Sequence, residues 1–229
     1  EVLKKYYPDG SNIEITSFAD IPAGTGLGSS GSFTTALING ISYMSCTRFT
    51  PDQLAEKACE IEIDILKEPI GKQDQYISSW GGIREFTFKK DGKVTNKVLY
   101  EDEDDYIDLK NNLVLVYTGK TRKASSILLE QKEKSEINHD AMIKNLDKVK
   151  AMGKEFSLLL RNKDFGSYGK LLHEHWLLKK ERSEAMSNSK IDDLYEFGLS
   201  NGSNGGKIIG AGGGGVLMFY VPLKNQKNF

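Results

Sequence analysis

The chain has 229 residues, 38% hydrophobic and 28% charged, which suits a globular protein of one large domain or two small ones. Its formal net charge of −1 offers no broad basic field, which argues against a nucleic-acid or anionic-membrane partner, and no apolar run reaches membrane-spanning length. The two cysteines, Cys46 and Cys59, lack metal or redox spacing and read as small buried side chains on helices, in a reducing compartment.

Ile13, Ile15 and Ser17 alternate with polar neighbours, the pattern of a strand ending near Asp20. A glycine-rich turn follows, Ile21-Pro22-Ala23-Gly24-Thr25-Gly26-Leu27-Gly28-Ser29-Ser30, and then a helix from about Ser30 to Ser45 with Phe33, Leu37, Ile41 and Met44 on one stripe. Thr50-Pro51-Asp52 opens a second helix, which carries Leu54, Ala58, Ile61 and Ile65 and stops near Pro69. Residues 71–82 read as a loop leading into a short helix. Strands are expected at about Ile83–Phe88 and Lys93–Leu99, joined by the turn Asp91-Gly92.

The acidic run Glu101-Asp102-Glu103-Asp104-Asp105 reads as a solvated loop and marks a soft boundary, giving domains of 1–110 and 111–229. Leu113–Tyr117 has the composition of a buried strand. Helices then dominate: Met142, Leu146, Val149, Met152, Phe156 and Leu159 form a core stripe, a further helix spans about Phe165–Met186, and a short one Asp192–Leu199. Lys207–Gly215 is a second glycine-rich loop, closed by a strand at Val216–Val221. Strands and helices mixed in this way give the α+β class.

The first glycine loop follows a strand and opens a helix, a placement that suits a bound phosphate. Glycines let the backbone approach a ligand, and the helix start offers free N–H groups and the positive end of the dipole. No lysine follows the last glycine, so the loop is not a Walker A sequence. Taken alone, a glycine turn with a serine N-cap explains the pattern more often than a phosphate does. Two carboxylates add chemistry. Glu62 lies on the second helix and Asp74 in the loop 71–75. Phosphoryl transfer asks for a carboxylate near the attacking hydroxyl and for hard oxygen ligands on Mg²⁺. Each alone is equally a surface helix charge or a turn former; Glu60 and Asp64 read as solvated. The second loop places five glycines within residues 210–215, between apolar segments, as an ordered loop facing a ligand or another backbone would.

Together these segments resemble the GHMP kinase family. Residues 22–30 look like its phosphate-binding loop; Gly71-Lys72-Gln73-Asp74-Gln75-Tyr76 with Trp80-Gly81-Gly82 looks like the segment bearing the catalytic aspartate; and residues 206–215 look like the third motif. Tyr117-Thr118-Gly119-Lys120-Thr121-Arg122 and His173-Glu174-His175-Trp176 with Lys179-Lys180 are similar to the heptose-phosphate kinase branch. The resemblance implies an N-terminal domain like the second domain of ribosomal protein S5, a ferredoxin-like C-terminal domain, and ATP between them. It implies Asp74 as general base, Ser30 and Glu62 as Mg²⁺ ligands, and Pro22, Gly24, Thr25, Gly26, Leu27, Gly28, Ser29 and Ser30 around the nucleotide. Gly212, Gly213, Arg122, Lys179 and Lys180 fall on the substrate side.

The first family motif is absent and the chain stops soon after the third, so the resemblance implies a chain truncated at both ends. Ile209 stands where a small hydroxyl residue is common. The implied activity is ATP-dependent phosphorylation of a sugar hydroxyl in the cytoplasm, with the anomeric hydroxyl of a heptose 7-phosphate as acceptor. The alternatives are another family acceptor (fucose, galactose or mevalonate) or a nucleotide-binding module without transfer. The expected partner is a small-molecule sugar phosphate, with self-association as a homo-oligomer allowed.

Overall fold

The computed structural model describes residues 1–7, 13–121, 125–137 and 140–229. A short helix α1 (Val2–Tyr6) leads to an exposed segment at 13–20, where alternation predicted a strand. No strand among the described residues lies beside it to take its backbone hydrogen bonds, so it has no regular structure and Phe18 is 93% exposed. The glycine turn then opens α2 (Ser29–Met44). Cys46, expected to be buried, follows α2 in the left-handed region and is exposed; Cys59 is buried.

Helix α3 (Pro51–Cys59) begins at a capping box. The Thr50 hydroxyl accepts from the Gln53 N–H, the Gln53 amide oxygen accepts from the Thr50 N–H, and Pro51 sits in the first turn. The helix continues as a wider π-helical turn, Glu60–Ile65. Val2, Ile38, Ile41, Leu54, Ala58 and Ile61 form one core that joins α1, α2 and α3.

Helix α4 (Gln73–Trp80) packs on α2 and α3, with Ala55, Cys59 and Tyr76 buried between them. Asp74 thus stands in the first turn of a helix, not in the loop that sequence implied. β1 (Ile83–Phe88) and β2 (Val94–Tyr100) form an antiparallel hairpin, with Gly92 left-handed in its turn and the Asp91 carboxylate accepting from the Lys93 N–H. The acidic run coils into a 3₁₀ turn at Glu103–Tyr106 before α5 (Ile107–Asn111).

β3 (Leu113–Tyr117), α6 (Ser125–Glu136), α7 (Asp140–Arg161), α8 (Phe165–Lys180), α9 (Ser189–Ser200), β4 (Gly205–Ile208) and β5 (Val216–Tyr220) follow. The helix predicted through Met186 ends at Lys180, and Glu184–Met186 forms a separate 3₁₀ turn. The three strands make an antiparallel sheet in the order β3-β5-β4. β5 is central and buried. β3 is an edge strand with Leu115 and Tyr117 more than half exposed, so its apolar run marks one covered face, not two. Trp176 and Tyr195 from α8 and α9 pack on Ile208, Leu217 and Phe219. A further cluster of Leu160, Phe165, Leu172 and Tyr220 meets Leu99 and Tyr100, and the Tyr100 hydroxyl donates to the Leu160 carbonyl. These contacts dock the hairpin on α7. No helix among the described residues is long and apolar enough to cross a membrane.

Candidate active site

The loop before α2 alternates handedness: Gly24, Gly26 and Gly28 have φ of 78°, 86° and 74°. Thr25 between them is buried, and its hydroxyl donates to the Pro22 carbonyl at 3.0 Å, which closes the turn on itself. Gly28 is the N-cap of α2. Gly28 has no side chain to cap this helix and no acidic residue stands in its first turn. A 16-residue helix therefore presents its free first-turn N–H groups and the positive end of its dipole at the mouth of the loop.

Helix α4 crosses α2 at closest approach over Gly31, where an added Cβ would meet the Asp74 backbone and Cβ at 3.1 Å. That contact seats Asp74 over the start of α2: an added Cβ on Gly28 would lie 3.5 Å from Asp74 Cγ and 3.7 Å from its Oδ2. Burial raises the pKa of Asp74, the Gln73 side chain lowers it by hydrogen bonding, and the Glu62 charge raises it further.

Glu62 projects from the π-helical turn and is 1% exposed. One carboxylate oxygen accepts from the Ser30 hydroxyl and the other from the Gln75 amide. Gln75 is itself fully buried, and its Oε1 has no hydrogen-bond partner among the described residues. The π turn explains why Glu62 points inward: the extra residue per turn re-aims the side chains, with Leu66 N–H bonding back to Ile61 C=O. The neighbouring Glu60 faces outward and accepts from Lys5 and Tyr6.

Glu62 and Asp74 form no ion pair with a lysine or arginine among the described residues. The buried Glu62 carboxylate, the half-buried Asp74 carboxylate, Gln75 Oε1 and the Ser30 hydroxyl thus gather hard oxygen atoms beside bare helix N–H groups. That donor set fits a divalent cation shared with a phosphate. It does not fit a metal held by protein alone, since the described residues contain no group of three metal-ligating side chains.

The second glycine loop lies against the first. An added Cβ on Gly26 would stand 2.7 Å from the Ile209 carbonyl oxygen, one on Gly210 2.6 Å from Gly26 Cα, and one on Gly215 2.3 Å from the Thr25 carbonyl oxygen. The two loops are in backbone-to-backbone contact, so Gly210 and Gly215 serve another stretch of main chain. Ile209 takes part through its carbonyl. Gly213 donates to the Met186 carbonyl at 2.7 Å, and a Cβ on Gly212 would meet Met186 Sδ at 2.8 Å, so both are packed on the 3₁₀ turn after α8.

The cations expected on the substrate side fare differently. Lys179 is 6% exposed and its ammonium donates to the carbonyls of Ile208 and Gly210; it grips the second loop from behind. Lys180 pairs with Asp192 at 3.4 Å and lies over the Trp176 ring. Both α8 side chains thus meet protein groups. Arg122 lies outside the described residues. Sequence reasoning missed Gln75, Gly31 and the inward role of Thr25. The one available signal was the sequence adjacency of Gln75 to Asp74.

The GHMP kinases N terminal domain model matches residues 1–82 and the GHMP kinases C terminal model matches residues 156–228, more than half of the chain between them. The chain belongs to the GHMP kinase family and has its α+β fold. It is 27% identical over 227 residues to the D-glycero-alpha-D-manno-heptose 7-phosphate kinase of Campylobacter jejuni, covering 99% of this chain and 66% of that protein. It is 32% identical over 223 residues to the mevalonate kinase of Methanocaldococcus jannaschii, covering 95% and 64%. The crystal structure of Lactococcus lactis galactokinase complexed with galactose superposes with a TM-score of 0.73 at 18% identity, covering 99% of this chain and 66% of that one. The chain spans just under two thirds of the length of these relatives.

Proposed function

We propose that this chain is the core of a small-molecule kinase that transfers the γ-phosphoryl group of ATP to a sugar hydroxyl in the cytoplasm. The acceptor is the anomeric hydroxyl of a heptose 7-phosphate. The observation that carries the reading is the convergence of Asp74, Gly28 and the Ser30–Glu62 pair at the uncapped start of α2. The 27% identity to a heptose 7-phosphate kinase supports the acceptor.

Backbone N–H groups from Gly24 to Ser30 cradle the nucleotide phosphates. Glu62 and Ser30 are the metal ligands, and Gln75 holds the Glu62 carboxylate in place. Magnesium, when bound, neutralises charge on the phosphates. Asp74 orients the attacking hydroxyl and accepts its proton late; its raised pKa makes it a better proton acceptor than an exposed aspartate. Most of the acceleration comes from positioning, because the transition state of phosphoryl transfer is loose. The site draws on both halves of the chain: residues 1–110 supply the phosphate loop and carboxylates, and residues 111–229 brace that loop from the other side.

The test is ADP release from Mg-ATP with heptose 7-phosphate, its unphosphorylated parent, fucose, galactose and mevalonate. Turnover with heptose 7-phosphate at least tenfold above every other acceptor is expected. Preference for another sugar or for mevalonate replaces the acceptor. ATP binding without ADP release from any of them overturns the kinase reading.

A further inference from the structure

The two glycine loops meet through main-chain atoms. Their contact is main chain on main chain, at Gly26 against Ile209 and Gly210, and at Thr25 against Gly215. Such a contact fixes geometry only if each loop is itself held. The first is held by the Thr25 hydroxyl and by α2. The second leaves β4 at Ile208 and returns at Val216, tied by Ile209 N–H to the Val216 carbonyl, by Gly213 N–H to Met186, and by Gly215 N–H to Lys120. Two carbonyls at its start, those of Ile208 and Gly210, take the ammonium of Lys179.

Lys179 spends a long charged side chain inside the fold to reach them. It stands on α8 three residues after Trp176, which is 0% exposed and anchors the helix on the sheet. The ammonium therefore connects a rigid helix to the point where the second loop meets Gly26. We infer that Lys179 is a positioning residue: by holding the Ile208 and Gly210 carbonyls it fixes the second glycine loop against Gly26, and so sets the shape of the turn that cradles the phosphates. This rests on the reading of residues 22–30 as the phosphate loop, and it deepens that reading by assigning what keeps the loop in register. In this role Lys179 acts through Gly210 and Gly26.

Calorimetric titration of Mg-ATP into the protein, without acceptor, tests the inference. Lys179→Met removes the donors and is expected to weaken ATP binding at least tenfold and to raise KM for ATP far more than KM for the acceptor. Lys179→Arg, which keeps donors at the end of a long stem, is expected to recover most of the loss. Should the Met variant not fold, Lys179→Gln keeps an uncharged amide donor on a shorter stem and is expected to lose at least threefold. A purely structural lysine lowers the melting temperature but leaves the affinity of the folded protein alone. Wild-type binding with Lys179→Met within twofold of it, or with Lys179→Gln within twofold where only that variant folds, overturns the inference. Absence of ATP binding in the wild type overturns the phosphate-loop reading instead.

Discussion

The Asp74 carboxylate stands over Gly28, the residue that caps α2: a Cβ added to Gly28 would touch its Cγ at 3.5 Å. A carboxylate with a raised pKa next to an uncapped helix start is held where its proton-accepting form is costly to the fold and useful to chemistry. Asp74→Asn is expected to lower kcat by about 100-fold to 10,000-fold, the range of general-base contributions, while ATP affinity stays within a few-fold. Because burial and the Glu62 charge oppose ionisation of Asp74, the neutral asparagine should melt no lower than wild type at pH 7. Steady-state kinetics and a thermal melt check both parts.

Gly26 and Gly28 have nearly the same left-handed backbone but different surroundings, and alanine at each should separate strain from collision. At Gly28 the new methyl meets Asp74 at ordinary contact distances, so Gly28→Ala should cost about 1 kcal/mol of backbone strain. At Gly26 the methyl would stand 2.7 Å from the Ile209 carbonyl oxygen, so Gly26→Ala adds overpacking of about 1–3 kcal/mol and should push the two loops apart. Denaturant melts should rank the variants in that order, with ATP affinity falling further for Gly26→Ala.

Glu62→Gln tests the metal assignment. The amide is of similar size and accepts from Ser30, but it loses the charge that draws a divalent cation. The Mg²⁺ concentration giving half-maximal activity should rise at least tenfold. Glu60→Gln on the outward face of the same turn, where the carboxylate accepts from Lys5 and Tyr6, should leave that concentration unchanged.

Lys207 on β4 gives a pH signature in stability. It is partly buried. Burial and then the neighbouring Arg182 bring its pKa down to about 8 from an ordinary 10.5, while His175 on α8, pushed down to about 3 by burial and by Lys207, is neutral beside it. Between pH 8 and 10.5 the unfolded chain binds the proton that the fold resists, so this group's penalty is full below pH 8 and fades as pH rises through that window. Lys207→Met should therefore stabilise the protein at pH 7 by about 1–2 kcal/mol, or a few degrees in Tm, with the gain shrinking by pH 10. Melts across that range decide it.

Thr50→Ala removes the hydroxyl half of the capping box at the start of α3 and should cost about 1 kcal/mol of stability. The cap lies at the far end of α3 from Glu62, so kcat and both KM values should not change.

Local signals carried much of this protein. Spacing alone located α2, α3, the β1–β2 hairpin and β5, because amphipathic period, a Thr-Pro start and an Asp-Gly turn act within a few residues. The glycine turn and the two carboxylates were legible as residue types suited to a phosphate and a metal. Residues 13–20 failed as a strand because alternation describes a surface and a strand also needs a neighbour. The protein partners of Lys179 and Lys180 were not legible because a cation's partner is set by its direction from the helix, and sequence adjacency on α8 does not fix that direction.

The sequence by itself determined the family, the α+β class and the chemistry-bearing residue types, since these follow from short-range pattern and composition. Only the tertiary structure decided that Glu62 turns inward on a π turn to meet Ser30 and Gln75, that Asp74 sits over Gly28, and that Gly210 and Gly215 let one backbone pass against another. These relationships join residues far apart in the chain. Close packing and the need to satisfy buried polar groups select them, and both are properties of the assembled interior.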